Sequence, residues 1–311
     1  MMKILFMGTP EISATVLKTL IGDGHNVVAV VTREDKPRRR GNVMMPTATK
    51  VAAQENGIPV YEPKTLRDDE FASLLHDIDP EIIVVVAYGK ILPESVLSYP
   101  KYGCVNLHVS LLPKYRGAAP MQRAIMEGES ETGVTVMYMD VGLDTGDIIS
   151  VSKFPIGWED DFESIHDRSA EIGGKLLSET LREIESGRAA RTPQNHALAT
   201  YAAKIEREDC KLDFTKSAKQ LDFNIRGVTP IPGAFAYLNG KMLKITKAKV
   251  VPGSGCAGEV IATDGNGDGS FTVACGEGAL KVLSGVPEGK GRMSAGDFVR
   301  GRKIAKGDVL S

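Results

Sequence analysis

Two runs in the first third of the chain are apolar without interruption, and they constrain the fold more than any other feature. Residues 26–32 are centred on Val-Val-Ala-Val-Val, and residues 81–87 on Ile-Ile-Val-Val-Val. A strand with one wet face alternates apolar and polar side chains. A continuously apolar strand is buried on both faces, as in a parallel sheet covered by helices. Residues 3–7, Cys104–His108 and residues 134–139 are three further strand candidates. Between them lie stretches with helical period. In residues 11–20, Ile12, Val16, Leu17 and Leu20 recur behind Pro10 and ahead of Gly22 and Gly24. Residues 48–56, 70–77 and 119–127 read the same way. Residues 162–186 form a longer predicted helix carrying Ile165, Ala170, Ile172, Leu176, Leu177, Leu181 and Ile184 on its apolar side. This alternation predicts a doubly wound α/β sheet.

The pattern then changes. Residues 187–200 break into Gly, Arg, Pro, Gln and Asn and read as a linker. From residue 240 onward short alternating runs such as Leu243-Lys244-Ile245-Thr246 and Phe271-Thr272-Val273-Ala274 are separated by Gly-rich turns. A predicted helix over residues 217–225 precedes them. Short strands at close spacing predict a small β-barrel. No repeat of 20–50 residues is present.

A chain of 311 residues has room for about two domains. With 42% hydrophobic and 25% charged residues it excludes a disordered or fibrous chain. The longest apolar run, Ile82 to Ala87, falls far short of the ~20 residues of a membrane helix. The N-terminal run breaks at Gly8-Thr9-Pro10, too early for a signal-peptide core. Cys104, Cys210, Cys256 and Cys275 have no CxxC spacing, which predicts free thiols, a reducing cytoplasm and no structural zinc. No apolar stripe demands a dimer, so a monomer is expected. The net charge of −2 conceals an asymmetry. Residues 1–203 hold 21 Lys/Arg and 28 Asp/Glu, 21 − 28 = −7, and residues 204–311 hold 17 and 12, 17 − 12 = +5. A basic second half hints at a polyanionic partner, although +5 is also common without one.

The densest polar grouping is Asn106-Leu107-His108-Val109-Ser110-Leu111-Leu112-Pro113. Asn106 and His108 sit two apart at the end of a predicted strand and so point the same way. Ligands bind at the carboxyl ends of strands in α/β sheets. An amide beside an imidazole supplies donors for an oxyanion forming at a carbonyl. The alternative is a hydrogen-bonded His closing the strand, with Asn in a turn. A second grouping, Asp140-Val141-Gly142-Leu143-Asp144-Thr145-Gly146-Asp147, follows another apolar run. A carboxylate from it beside His108 would orient the ring, hold it charged, or take a proton from an attacking amine. The alternative is a plain Asp/Gly turn, and the spacing does not make a calcium loop. A third grouping, Arg33-Glu34-Asp35-Lys36-Pro37-Arg38-Arg39-Arg40-Gly41, follows the second strand. It is either a loop that grips phosphates or a solvated charged loop. The glycines of a dinucleotide fingerprint are missing after the first strand, and no GxxxxGK[ST] loop occurs, which disfavours NAD and ATP. His25, His76, His166 and His196 read as structural or surface residues, and Trp158 with eight Tyr makes no stacking platform.

Asn106-x-His108-x-Ser110-Leu111-Leu112-Pro113 with a later Asp144 resembles the active-site signature of the folate-dependent formyltransferases. Further stretches are similar to the branch of that family that acts on methionyl-tRNA. They are Val84 to Gly89, Ile91-Leu92-Pro93, Arg116 to Gln122, Glu131 to Thr135, Met139 to Asp147, Tyr201-Ala202-x-Lys204-Ile205 and Asp297 to Gly301. The resemblance runs collinearly through nearly the whole chain. It implies a Rossmann-like α/β formyltransferase domain with a parallel sheet (residues 1–189), a linker (190–206), and a smaller OB-like β-barrel domain that binds tRNA (207–311). It implies transfer of a formyl group from 10-formyltetrahydrofolate, a co-substrate, to the methionine α-amine of methionyl-initiator tRNA. No metal and no tightly bound cofactor are implied. Asn106, His108 and Asp144 become the catalytic trio. Ser110, Leu111, Leu112 and Pro113 line the tetrahydrofolate site. The loop over residues 33–45, with Lys36, Arg38, Arg39 and Arg40, reaches the tRNA. A formyltransferase or formyl-folate hydrolase acting on a small molecule is the competing enzyme. The basic second half favours the tRNA, because a small substrate needs no such domain. A non-catalytic OB-type binder leaves the grouping of Asn106, His108 and Asp144 unexplained.

Overall fold

Strands form where the sequence is continuously apolar. In the first unit of the computed structural model these are β1 (Ile4–Gly8), β2 (Val27–Val31), β3 (Val60–Tyr61), β4 (Ile82–Val86) and β5 (Cys104–His108). Every residue of β1 and β4 is buried, as strands covered on two faces require. The structure describes residues 1–38, 43–265, 267 and 269–311, with backbone alone for residues 36–38 and 43. Arg39 and Arg40 of the predicted tRNA loop lie outside the described residues.

Helices α1 (Glu11–Gly22), α2 (Ala48–Glu55) and α3 (Asp69–Ile78) connect the early strands. Asp68 caps α3 by accepting the Phe71 N–H at 2.9 Å, and Phe71 and Leu75 bury its apolar side against Leu5, Val31 and Ile83. The chain continues through β6 (Glu131–Tyr138), β7 (Ile148–Pro155) and the long helix α4 (Phe162–Glu185). Glycines bring α4 in close: a Cβ on Gly173 would press on Leu107 of β5, and one on Gly174 on Thr19 of α1.

The sheet order is β7-β6-β5-β4-β1-β2-β3. Neighbours from β3 to β5 are parallel, the Rossmann-like arrangement expected from the alternation. The strand predicted at residues 134–139 falls on β6 up to Tyr138, but it runs antiparallel to β5. Continuous apolarity encodes burial on two faces and not direction, and an antiparallel edge on a parallel sheet is common. Strand β7, where Ser and Lys interrupt the apolar pattern, was not expected from the sequence.

By its internal contacts the chain forms two compact units, interleaved in sequence. The first comprises Met1–Gly117, Glu131–Phe154 and His166–Ala202; the second comprises Ala118–Ser130, Pro155–Ile165 and Ala203–Ser311. The second unit holds α5 (Ala218–Val228) and strands β8 (Ala234–Leu238), β9 (Lys241–Val251), β10 (Val260–Asp264), β11 (Ser270–Ala274) and β12 (Ala279–Pro287). These strands lie antiparallel in the order β8-β9-β12-β11-β10 around Leu221, Ile225, Val260, Phe271, Leu280 and Phe298. Residues 308–311 join the two edges. Tyr237 and Ser311 exchange backbone hydrogen bonds of 2.7 and 3.0 Å. The Leu310 N–H donates to the Gly258 carbonyl, and the Val260 N–H to the Asp308 carbonyl, both at 2.8 Å. These residues thereby bridge the two edge strands of the sheet. Among the described residues no helix is long and apolar enough to cross a membrane.

Candidate active site

The site lies in the first unit, at the carboxyl end of β5. Register places Asn106 beside Val85 of β4 and Met137 of β6, and His108 beside Thr135. Asn106 is half-buried; His108 is buried. The His108 Nε2 lies 2.9 Å from the Tyr115 carbonyl oxygen. A carbonyl only accepts, so Nε2 carries a hydrogen and donates it. The other ring nitrogen, Nδ1, faces Asp144 Oδ2 at 3.7 Å. That separation exceeds a hydrogen bond and leaves the facing edges of both groups available to a third partner.

Asp144 reaches this position through a strained loop. It adopts φ 53°, the left-handed region that disfavours side chains. Upstream, Asp140 Oδ1 accepts from the Gly142 N–H at 2.9 Å and the Thr145 hydroxyl at 2.6 Å. Gly146 follows where a Cβ would collide with the Tyr138 carbonyl. The Asp144 carboxylate accepts the Gly117 N–H at 2.8 Å. Tyr115 and Ala87 also hold positive φ, 61° and 45°, so left-handed non-glycine residues recur at this rim of the sheet.

The turn after β5 is tied down by Thr135, whose hydroxyl donates to the Ser110 carbonyl at 2.7 Å and accepts the Leu112 N–H at 3.3 Å. The Ser110 hydroxyl is fully buried and donates to the Lys114 carbonyl at 2.8 Å. Of the residues expected to line the folate site, Ser110 therefore holds the turn, and Leu112 is buried beside it. Cys104 begins the same strand, but burial pushes its thiol up to about 12, which leaves no thiolate there.

Segment 187–200, read from composition as a linker, is fastened to the site. Thr192 and Ile148 exchange backbone hydrogen bonds of 2.8 and 2.9 Å, and the Arg191 guanidinium lies over the Tyr138 ring at 4.0 Å. Gln194 is buried within an exposed run. Its Nε2 donates to the Asp144 and Gly146 carbonyls at 2.9 and 2.8 Å. Its Oε1 accepts from Arg116 Nε and Nη2 at 3.2 and 2.7 Å. His196, read as structural or surface, lies 3.1 Å from Arg116 Nη2 through its Nδ1. Sequence reasoning missed Gln194. Its only signal was a polar residue following Pro193 in the run that precedes Tyr201.

The predicted tRNA loop begins in a short hairpin, Lys36–Arg38 paired with Val43–Met45. At its base Lys50 Nζ bridges Asp35 at 2.8 Å and Glu62 at 2.7 Å. Within the second unit a groove of about 590 Å³ is walled by Phe223, Trp158, four cations (Arg226, Lys247, Lys249, Arg292) and four acids (Glu129, Glu159, Asp161, Asp222). Trp158 is 70% exposed there, with Lys249 Nζ 5.6 Å from its ring. Among the described residues no group of three or more His, Cys, Asp or Glu could hold a metal ion.

Residues 2–181 match the formyl transferase family, and residues 204–303 match the formyl transferase C-terminal domain. The methionyl-tRNA formyltransferase of Citrifermentans bemidjiense is 45% identical over 99% of this chain and 96% of its own length. That of Halalkalibacterium halodurans is 45% identical over 99% and 98%. Two solved structures share the fold at 20% identity. HypX from Aquifex aeolicus in complex with tetrahydrofolic acid has a TM-score of 0.67, covering 100% of this chain and 50% of that one. The N-formyltransferase from Helicobacter canadensis with folinic acid and dTDP-3-aminofucose has 0.66, covering 91% and 99%. Similarity across both domains, at this identity and over nearly the full length of its relatives, places the chain in the formyl transferase family, among the methionyl-tRNA formyltransferases.

Proposed function

We propose that this chain transfers the formyl group of 10-formyltetrahydrofolate to the α-amine of methionine on initiator tRNA, with Asn106, His108 and Asp144 carrying the chemistry. The observation that carries the assignment of residues is the geometry of His108. Its Nε2–H is committed to the Tyr115 carbonyl, so Nδ1 is the nitrogen that meets substrate. The neutral amine attacks the formyl carbon, and the carbonyl oxygen gains charge. Asn106 and the Nδ1–H of a protonated His108 donate to that oxygen, worth ~10²–10³ in rate per donor. The amine proton passes to Asp144, directly or through water. The tetrahedral intermediate collapses by breaking the bond to folate N10, which takes up the proton held by Asp144 as tetrahydrofolate leaves.

In this reading Leu111, Leu112 and Pro113 form the apolar wall of the folate site, with the Ser110 hydroxyl bracing their turn. Lys36, Arg38, Arg39 and Arg40 contact the tRNA. The domains are residues 1–189 and 207–311 about a linker, 190–206, and the second binds tRNA. Support for a polyanionic partner comes from the +5 charge of residues 204–311 and from exposed Lys247 and Lys249 beside Trp158. The chain works as a monomer in a reducing cytoplasm; its four cysteines are unpaired and three are buried.

The test is a formyl-transfer assay with 10-formyltetrahydrofolate and charged tRNAs. Methionyl-initiator tRNA is formylated and methionyl-elongator tRNA is not. Transfer only to a small amine such as an amino-sugar nucleotide would overturn the reading.

A further inference from the structure

Gln194 is the buried residue of a run, residues 191–198, that is otherwise exposed. At 6% exposure its amide accepts two hydrogen bonds through the oxygen and donates to two carbonyls through the nitrogen, which also lies 3.9 Å from the Met137 sulfur. The direction of that amide is fixed by chemistry. A guanidinium has donors and no acceptor, so the atom facing Arg116 is the oxygen. The NH2 group is left pointing at two carbonyls, those of Asp144 and Gly146, which only accept. A flipped amide would oppose donor to donor and acceptor to acceptor at all four contacts.

The dipeptide Arg116-Gly117 then grips the Asp144 loop twice. The Gly117 N–H holds the Asp144 carboxylate at 2.8 Å. The Arg116 side chain, 2% exposed, aims Gln194 at the Asp144 main chain. The dipeptide is itself held in register by a parallel pairing with Tyr201-Ala202 and by the Arg116 N–H donated to the Thr200 carbonyl at 2.9 Å. Left-handed backbone at a residue with a side chain costs about 1–2 kcal/mol and persists only where surroundings over-determine it. Here the carboxylate and the carbonyl of one residue are each fixed from outside the loop.

We propose that Gln194 is a positioning residue for formyl transfer, an amide that carries the orientation of buried Arg116 into the Asp144 loop and sets the carboxylate against His108 Nδ1. This rests on the reading that Asp144 acts beside His108. A misplacement of about 1 Å in a reacting constellation costs up to ~10²-fold. The loss falls on turnover, because Gln194 lies behind the loop.

Gln194→Glu separates the two ends of the amide. The carboxylate keeps the size of glutamine and still accepts from Arg116, but presents an oxygen to the two carbonyls. Gln194→Met keeps the length and removes both functions. Steady-state formylation of methionyl-initiator tRNA is measured for both, with Asp144→Asn alongside and thermal unfolding of each. The expected result is a kcat lowered about 10- to 100-fold in Gln194→Glu, with KM for both substrates near wild type and a Tm that falls, because two buried carbonyls lose their donor, but leaves the variant folded at the assay temperature. Wild-type kcat in either variant, beside a collapsed Asp144→Asn, overturns the role of Gln194 and leaves that of Asp144 standing. Full turnover in Asp144→Asn overturns the reading beneath it. A fall in Tm and a rise in KM that account for the lost activity make Gln194 merely structural. Should neither variant fold, the wild type decides. Its Gln194 side-chain amide protons exchange slowly with solvent if the four bonds hold, and rapid exchange refutes them.

Discussion

Arg116 and Arg123 lie close in sequence, one in each compact unit, and each is drawn into its unit by a fork of hydrogen bonds. Arg116 gives its N–H groups to neutral acceptors, Gln194 Oε1 and His196 Nδ1. Arg123 gives two to the Asp209 carboxylate at 3.0 and 2.8 Å, and others to the carbonyls of Ala203 and Lys204. The difference lies in the partner. An amide has a donor end and an acceptor end, so what Arg116 fixes at one end is passed on at the other. A carboxylate only accepts. Asp209 takes Arg123 on one side and the Glu206 N–H on the other, and the chain of contacts closes locally. The first arginine is linked through Gln194 to the Asp144 loop; the second clips a segment.

The largest effect that bears on this contrast is at the reacting face. His108→Ala lowers kcat/KM for formylation ~10²–10³-fold, about 2.7–4 kcal/mol, with tRNA affinity and Tm little changed. Normal turnover in that variant would remove the role of His108, and with it any catalytic meaning of the Arg116 network. Next in size is a matched pair, Arg116→Met and Arg123→Met. Leaving the buried Gln194 oxygen without its donor costs ~1–3 kcal/mol of stability. Arg116→Met also lowers kcat by about tenfold, as Gln194 loses its aim. Arg123→Met loses stability with kcat unchanged. Equal effects of the two on kcat would break the distinction.

How much of this was legible in the sequence depends on the range of the interaction. Asn106 and His108 could be paired because a strand has a period of two, and the end of a buried strand in an α/β sheet faces ligand. The antiparallel course of β6 could not be read, since apolar content records burial and not direction. Gln194 was hidden for another reason. Its neighbours Arg191, Pro193, Asn195 and His196 have the composition of a linker, and its value comes from groups 48 to 78 residues away in sequence. The bridging of the sheet's edge strands by residues 308–311 was equally invisible, because a few residues with two isolated bridges make no periodic pattern.

The smallest expected effect tests the local character of the Arg123 clip. Arg123 beside Asp209 holds its carboxyl below the ordinary value of 3.8, with the Glu206 N–H adding to the same side. A carboxylate whose folded pKa is depressed stabilises the fold wherever the unfolded group is already ionised. That contribution is complete above about the ordinary value and is lost as pH falls through the depressed one. Asp209→Asn removes the charge at every pH. At neutral pH the variant is less stable by ~1 kcal/mol or less, because both partners remain partly exposed. The gap to wild type stays constant down to the ordinary carboxylate range and then closes as the wild type takes up its proton. Denaturant unfolding at a series of pH values reads this directly. A gap that stays constant down to low pH, where the wild-type carboxyl is protonated, would mean that Asp209 acts by shape and not by charge. Gln194 carries no acid to titrate, so the stability cost of Arg116→Met has no such step in the window where that of Asp209→Asn disappears.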